Sequence, residues 1–186
     1  MKTIALDITD PTAVAAAAEI ATDVTLLINN AGSSTGANVL DGDLDRIQLE
    51  FQTHFFGTLA MTRAFVPVIE ANGGGSILNI LSVLAWIGSA QSGAYCAAKS
   101  ATWSMTNSLR LQLADRNIRV AGLHVGYMDT DMVAAITAPK TDPRVVARIA
   151  IDGIAAGQYE ILADDVSRQV QAALSGGVAA LYPQFG

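Results

Sequence analysis

The sequence YCAAK at positions 95–99 has the form YxxxK inside a helical pattern, and Ser82 precedes Tyr95 by thirteen residues at the end of the apolar run Ser76–Leu81. Helical positions i and i+4 share one face about 6 Å apart, so we expect the Lys99 ammonium beside the Tyr95 phenol, favouring its ionised form. A serine hydroxyl at a strand end can reach the same substrate oxygen. These three residues together predict a general acid/base site.

The rest of the sequence alternates between apolar runs and helical patterns. NNAG at positions 29–32 closes the run Val24–Ile28, and Gly126 follows the run Ile118–Val125. Such alternation is the signature of a parallel sheet that helices cover on both faces. The candidate residues fall just past the carboxyl ends of the predicted strands, which is where open α/β sheets bind ligands.

The order of these motifs resembles that of the short-chain dehydrogenase/reductase family. In that family NNAG follows the fourth strand, the serine follows the fifth, YxxxK opens the next helix, and PGxxxT follows the sixth strand. Here the last segment is VGYMDT at positions 125–130, with valine in place of proline. The likeness extends from about residue 3 to the C terminus. It implies an α/β fold, a Rossmann-like doubly wound parallel sheet, formed by residues 1–186 as a single truncated domain that lacks the first two strands and helices.

The resemblance also implies roles for individual residues. Tyr95 would be the general acid/base, Lys99 would lower its pKa and bind the nicotinamide ribose, and Ser82 would hold the oxygen of a carbonyl or alcohol substrate during hydride transfer. NAD or NADP would carry the hydride. The further residues implied to bind this cofactor are Asp7 and Ile8 beside the adenine, Asn29, Ala31 and Gly32 on the adenosine side, and Gly126, Met128 and Thr130 beside the nicotinamide.

Two departures from the family pattern bear on function. The sequence has no match to TGxxxGxG, the family's pyrophosphate loop, and Thr3–Ile8 looks like the family's third strand. Without the backbone donors and helix dipole of that loop, we expect weak NAD(P) binding. His54 stands where the family usually has the asparagine of its catalytic tetrad. Histidine keeps the main-chain carbonyl that holds a water there but changes the bulk beside the nicotinamide, so both retained and lost function stay open.

Two functions of different class are therefore open. The first is an oxidoreductase that interconverts a carbonyl and an alcohol, which the intact set of Ser82, Tyr95 and Lys99 favours. The alternative is a catalytically silent or cofactor-deficient remnant that acts as an interaction or structural module, which the missing glycine-rich loop favours.

Composition narrows the class of protein. The 186 residues are 51% hydrophobic, and no apolar run approaches 18 residues, which predicts a globular protein without a membrane span. Asp7 interrupts the N terminus before a signal-peptide core develops, which indicates a cytoplasmic protein. A net charge of −6 without a basic cluster disfavours nucleic acid and anionic membranes as partners. Two histidines and one cysteine, Cys96, give no metal-ligand spacing.

The missing first strands raise the question of what borders Val24–Ile28. An apolar strand with unpaired backbone groups is costly and prone to pair, so we expect Thr3–Ile8 to hydrogen-bond to it within one subunit. Two long helices, predicted over Leu44–Glu70 and Ala94–Ala114, resemble the family's dimer-forming pair and suggest a homodimer or homotetramer. The other predicted elements are helices over Pro11–Ala21, 143–156 and Asp164–Leu174 and a strand over Gln158–Ala163.

Overall fold

The computed structural model describes residues 3–185; positions 1, 2 and 186 of the predicted domain lie outside the described residues. Within them, a four-stranded parallel sheet has the order β1-β2-β3-β4, with strands Leu26–Asn29 (β1), Gly75–Ile80 (β2), Ile118–His124 (β3) and Glu160–Leu162 (β4). The α-helices are Pro11–Ile20 (α1), Leu44–Phe51 (α2), Thr58–Ala71 (α3), Gly93–Leu113 (α4), Pro143–Ala155 (α5), Asp165–Ala173 (α6) and Gly177–Leu181 (α7). The predicted α/β fold with a parallel sheet is confirmed.

Apolar side chains fill both faces of this sheet. Because successive side chains of a strand point to opposite faces, the neighbours Ile77 and Leu78 of β2 enter different clusters, and both are fully buried. Ile77 packs with Phe65 and Ile69 of α3, among other residues. Leu78 belongs to the cluster that includes Val146 of α5. Both faces of the sheet are therefore covered, and a binding site can form at its edges or at the ends of its strands.

Aspartates fix where several helices begin. The side chain of each accepts a hydrogen bond from a backbone N–H two or three residues further on, which satisfies one of the free donors of the first turn. These N-caps are Asp10, Asp43, Asp142 and Asp164, of which the first and third precede a proline at the start of the helix.

The long helix predicted over Leu44–Glu70 is divided into two α-helices. α2 ends at Phe51, Gln52–Gly57 forms a π-helical turn, and α3 begins at Thr58. A π turn accommodates an extra residue within a helix and often lies at a functional site. His54 lies in this turn. Pro67, by contrast, lies inside α3 and does not end it.

The predicted pairing of Thr3–Ile8 with Val24–Ile28 is wrong. Residues 3–8 form no strand, and among the described residues β1 pairs with β2 alone. The chain turns at Asp7, whose carbonyl and carboxylate accept bonds from the backbone N–H groups of Asp10 and Thr9. Ile8 packs against Gly57, where an added Cβ would lie 2.7 Å from the Ile8 Cδ1. This contact with the helix layer directs the segment away from the sheet edge.

The loop after β3 and the C-terminal tail both lie near the carboxyl ends of the strands. Met128 forms a bridge to Thr141, which ties the two ends of the intervening loop together. In the tail, the Tyr182 hydroxyl accepts a hydrogen bond of 2.5 Å from the backbone N–H of Gly88. No helix within residues 3–185 is long and apolar enough to cross a lipid bilayer.

Candidate active site

A cavity of about 240 Å³ lies at the carboxyl end of the sheet. It is bordered by the residues that follow β2 and β3, by the first turns of α4, and by the π-helical turn. The predicted site residues that line it are Gly32, His54, Ser82, Tyr95, Lys99, Gly126, Met128 and Thr130. Sequence reasoning thus gathered residues from five separate segments that the fold brings to one place.

Tyr95 lies in the first turn of α4 with its phenol largely enclosed by the cavity wall. Burial raises the pKa of Tyr95 to about 12, and the nearby Ser82 hydroxyl offsets only a part of this rise. The Lys99 ammonium is not among the groups that shift this pKa here, so its lowering of the Tyr95 pKa stays a prediction. At neutral pH the phenol therefore carries its proton and is ready to act as an acid.

Lys99 lies one helical turn after Tyr95 and is almost fully buried. Its Nζ atom lies 5.6 Å from the centre of the Tyr95 ring and donates a hydrogen bond of 2.9 Å to the Ile80 carbonyl. Burial lowers the pKa of Lys99 to about 8, although the negative charge of Glu50 opposes this shift. An ammonium group has three donors. The Ile80 carbonyl occupies one of them.

Ser82 follows β2 and is fixed by its own backbone. Its Oγ atom accepts a hydrogen bond of 3.1 Å from the Leu84 N–H. Its carbonyl accepts from the Ala85 N–H at 2.9 Å and contacts the Nδ1 atom of His124 at 3.1 Å. Both lone pairs of this carbonyl are thus engaged, which restrains the residue that presents the hydroxyl to the cavity.

Glu50 is a buried charge beside the site that sequence reasoning missed. Its carboxylate accepts a 2.5 Å bond from the Thr35 N–H and contacts the Nε2 atom of His54 at 3.2 Å. Burial alone would raise the pKa of Glu50, but the bonds from His54 and Thr35 outweigh it, so the pKa is lowered and the group stays ionised. The i, i+4 spacing of Glu50 and His54 was the available signal.

His54 has one satisfied ring nitrogen and one without a protein partner. Its Nε2 atom lies 2.8 Å from the Ser33 carbonyl and 3.2 Å from the Glu50 carboxylate, and the Ser33 N–H approaches the same nitrogen at 3.4 Å. Its Nδ1 atom is buried with no partner among the described residues. The ring stands edge-on to the Tyr95 ring, with 5.1 Å between centres. Its main-chain carbonyl accepts a 3.0 Å bond from the Thr102 hydroxyl.

Four of the residues implied to bind cofactor do not line the cavity. Asp7 is exposed, and two bonds from Thr9, from its backbone N–H and its hydroxyl, lower the pKa of the Asp7 carboxyl. Ile8 packs on the π-helical turn. Asn29 ties β1 to β2 through a 2.8 Å bond to Asn79. Ala31 is exposed, and Asn30, which was not predicted, lines the cavity.

Gly32 and Gly126 have separate structural reasons to be glycine. A Cβ on Gly32 would lie 2.9 Å from the His54 ring, too close for that ring to keep its position. Gly126 donates its N–H to the Asp164 carboxylate at 2.6 Å, and a Cβ there would crowd the same carboxylate at 3.1 Å. Asp164 also caps α6, so one side chain fixes both the loop after β3 and the helix after β4.

The described residues offer no set of three or more His, Cys, Asp or Glu side chains that could hold a metal ion. What converges at the cavity is a hydroxyl, a phenol, an ammonium and an imidazole. These groups transfer protons and form hydrogen bonds to oxygen.

The parallel sheet, with a serine, tyrosine and lysine at its carboxyl end, is the arrangement of a Rossmann-like oxidoreductase fold. Residues 1–141 match the family model described as short chain dehydrogenase. The chain belongs to the short-chain dehydrogenase/reductase family.

Individual relatives agree with this assignment. The chain is 36% identical over 135 residues to trans-4-hydroxycyclohexanecarboxylate dehydrogenase of Sinomonas cyclohexanicum, an alignment that covers 70% of this chain and 52% of the relative. It is 30% identical over 178 residues to 1-deoxy-11-beta-hydroxypentalenate dehydrogenase of Streptomyces exfoliatus, covering 92% and 60%. The chain thus spans between half and two thirds of the length of these relatives.

A solved structure extends the comparison to three dimensions. The crystal structure of a short chain dehydrogenase from Burkholderia cenocepacia J2315 in complex with NADP superposes with a TM-score of 0.93 at 33% identity. The match covers 98% of this chain and 79% of that chain. Nearly the whole of the present fold therefore has a counterpart in a larger dehydrogenase.

Proposed function

We propose that this chain carries the reacting site of an NAD(P)-dependent oxidoreductase that interconverts a carbonyl and an alcohol. The observation that supports the proposal is the convergence of Ser82, Tyr95 and Lys99 on one cavity at the carboxyl end of the sheet. Buried hydroxyl, phenol and ammonium groups seldom meet in one cavity without a polar ligand to satisfy them.

The nicotinamide half of the cofactor fits the residues present. Lys99 retains donors beyond the one that Ile80 accepts, and these suit ribose hydroxyls. Gly32, Gly126, Met128 and Thr130 would border the rest of the nicotinamide nucleoside. When bound, NAD or NADP supplies or accepts the hydride. The B. cenocepacia relative binds NADP, which supports a nicotinamide cofactor here without deciding between the two.

Proton transfer falls to Tyr95. In the direction of reduction, the phenol donates its proton to the substrate oxygen while the Ser82 hydroxyl donates a hydrogen bond to the same atom. Since burial raises the pKa of Tyr95 to about 12, the acid form predominates at neutral pH. Oxidation of an alcohol requires the phenolate, so its rate should rise with pH while the rate of reduction does not.

A second candidate is the catalytically silent or cofactor-deficient module. Two observations favour it: the sequence has no TGxxxGxG segment, and the Asp7 carboxylate is turned to its neighbour Thr9. Pyrophosphate binding normally depends on backbone donors at a helix N terminus. We therefore expect this chain to bind NADH or NADPH weakly.

The remaining proposals concern location and assembly. We infer a single-domain, cytoplasmic protein with a small-molecule substrate, without nucleic-acid or membrane partners, that forms a homodimer or homotetramer. Apolar side chains that stay exposed on the helix layers support self-association. Examples are Leu44 of α2, Phe56 of the π turn and Leu111 of α4, exposed by 70%, 49% and 82%. Light scattering at micromolar concentration would test this, and a monomer would contradict it.

The test of function separates binding from chemistry. The purified chain is titrated with NADPH and NADH by nucleotide fluorescence, and then assayed for reduction of a panel of cyclic and acyclic ketones at saturating or highest attainable cofactor. Ketone reduction by the chain supports the oxidoreductase. Binding without reduction of any ketone, or no binding at all, favours the silent module.

A further inference from the structure

Beneath Ser82 lies a buried histidine that the mechanism above does not use. His124 ends β3 and is completely buried. Its Nδ1 atom lies 3.1 Å from the Ser82 carbonyl, and its Nε2 atom lies 3.2 Å from Oε1 of Glu160. Carbonyl and carboxylate oxygens only accept hydrogen bonds. For both contacts to be hydrogen bonds, both ring nitrogens must carry a proton.

The surroundings of His124 suit a cation. Its ring stacks on Trp86, with 3.6 Å between centres and 13° between planes, and an indole face attracts a positive charge. Glu160 supplies the opposite charge and is itself fixed by a 3.0 Å bond from Trp103 Nε1 and an ion pair with Arg110. A buried charge that is paired, stacked and fully hydrogen-bonded avoids most of the usual cost of burial.

His54 gives the contrast within the same molecule. The polar contacts of its ring, from Ser33 and Glu50, all meet at one nitrogen, Nε2, and its Nδ1 has no partner among the described residues. The protein therefore contacts one ring nitrogen of His54 and both ring nitrogens of His124. The two histidines of the chain thus differ in how completely the surrounding residues engage their rings.

We propose that His124, held as an imidazolium by Glu160, is a positioning residue that fixes the Ser82 backbone and so aims the Ser82 hydroxyl into the cavity. This deepens the proposed function and rests on it for its catalytic consequence. When His124 loses one proton, it can donate to only one of its two acceptors, and the restraint on Ser82 weakens. The charged groups that face it are Glu160, from β4, and Arg110, from α4, acting through Glu160.

The first test reads the imidazole directly and needs no activity. Long-range proton–nitrogen spectra of the chain labelled with ¹⁵N-histidine give two sets of signals, and the set that is absent from His54→Gln belongs to His54. At pH 7 we expect both His124 nitrogens in the protonated range. On raising the pH, the Ser82 carbonyl carbon should shift in step with His124. A bare His124 nitrogen at pH 7, or a Ser82 carbonyl that does not follow His124, overturns the proposal.

The second test uses a matched pair of variants. Glu160→Gln keeps an acceptor but removes the charge, so His124 should lose its second proton at lower pH and the Ser82 shift should move with it. If the chain reduces ketones, kcat should fall roughly tenfold with the affinity for NADPH unchanged, since a misdirected hydroxyl affects the reacting oxygen. Glu70→Gln removes a carboxylate from the exposed ion pair with Arg116 and should change none of these readouts.

The outcomes separate this proposal from the proposed function. If the chain is inactive but the Ser82 carbonyl shift follows His124, the result supports the positioning contact and contradicts the proposed oxidoreductase activity. If the chain is active but Glu160→Gln leaves both the spectra and kcat unchanged, the result supports the oxidoreductase and contradicts the positioning role of His124.

Discussion

The carboxyl end of the sheet and the N-terminal segment of residues 3–10 differ in how firmly the structure holds them. At the carboxyl end, three residues that line the cavity are each held by a further contact: Lys99 by Ile80, Ser82 by His124, and Gly126 by Asp164. In the N-terminal segment, Ile4 and Leu6 are more than a third exposed, and β1 offers an unpaired edge among the described residues. The residues proposed for proton transfer and those predicted to contact the adenine half of the cofactor thus lie in separate parts of the chain.

The largest expected effect comes from the anchored region. Tyr95→Phe keeps the ring that packs against His54 but removes the proton donor, so ketone reduction should fall by about 10² to 10⁴ in kcat. Folding, measured by circular dichroism, should be unchanged. Tyr159→Phe, on an exposed tyrosine away from the cavity, is the matched control and should leave the rate as it is. Equal rates for the parent and Tyr95→Phe would refute the assigned chemistry.

The second effect concerns the weakly held region. Charge-assisted bonds to a pyrophosphate contribute about 1.5 to 3 kcal/mol each, so their loss should reduce affinity by several tenfold steps. Titration with NADPH should therefore give a millimolar dissociation constant or no saturation. A micromolar constant for this chain would mean that another segment supplies the pyrophosphate contacts, and the contrast between the two regions would disappear.

A third prediction concerns the stability cost of the buried lysine. The pKa of Lys99 is lowered to about 8 by burial, so the unfolded chain binds this proton more tightly than the folded one. The stability of the parent should accordingly rise between about pH 8 and the ordinary lysine pKa near 10.5. Lys99→Met should abolish activity yet raise the free energy of unfolding at pH 7 by on the order of 2 kcal/mol.

Urea denaturation at several pH values measures this difference. The advantage of Lys99→Met should shrink as the pH rises from 8 to 10.5, because the parent then folds with a neutral amine. Lys140→Met is the control, since that side chain pairs with the exposed Asp129 and lies outside the cavity. A Lys99→Met variant that is less stable at every pH would show that the bond to Ile80 outweighs the cost of burial.

The smallest expected effect tests whether residues 3–8 pair with the sheet. Ile4 is 38% exposed and belongs to no strand, so Ile4→Ala should change the free energy of unfolding by less than about 0.5 kcal/mol. Ile77→Ala, in the buried strand β2, should cost about 2 to 5 kcal/mol by the same measurement. A cost at Ile4 that approaches that at Ile77 would indicate that the segment docks on the sheet in solution.

The sequence allowed prediction of the elements whose signals are local. The strands that end before Ser82 and Gly126 appear as apolar runs, and Tyr95 and Lys99 follow the period of one helix, so the predicted boundaries agree to within about two residues. The predicted Thr3–Ile8 strand failed because an apolar run does not reveal whether a hydrogen-bonding partner is within reach. Here the turn at Asp7 and the contact of Ile8 with Gly57 decided its place.

Two features of the site were marked in the sequence weakly, by the i, i+4 spacing of Glu50 and His54, or not at all. Glu50 lies in a helix of mixed polarity, where a carboxylate is ordinarily solvated, and its burial depends on the loop at Ser33–Thr35 folding over it. His124 contacts the backbone of Ser82, and a carbonyl partner leaves no trace in the identity of the partner residue. Both are long-range or loop contacts that only the assembled fold defines.

The π-helical turn at Gln52–Gly57 is a position where the loss or gain of one residue, in evolution or by engineering, would change the site more than the core. Consecutive α-helical residues are rotated by 100° about the helix axis. Deletion of one residue from this turn would therefore restore a regular α-helix and rotate α2 about its axis by about that angle relative to α3. Glu50 would then leave its place beside Ser33 and Thr35, while Phe65 and Ile69 would keep their positions in the core. Insertions and deletions confined to this turn could therefore remodel the cavity wall and leave the sheet and its packing intact.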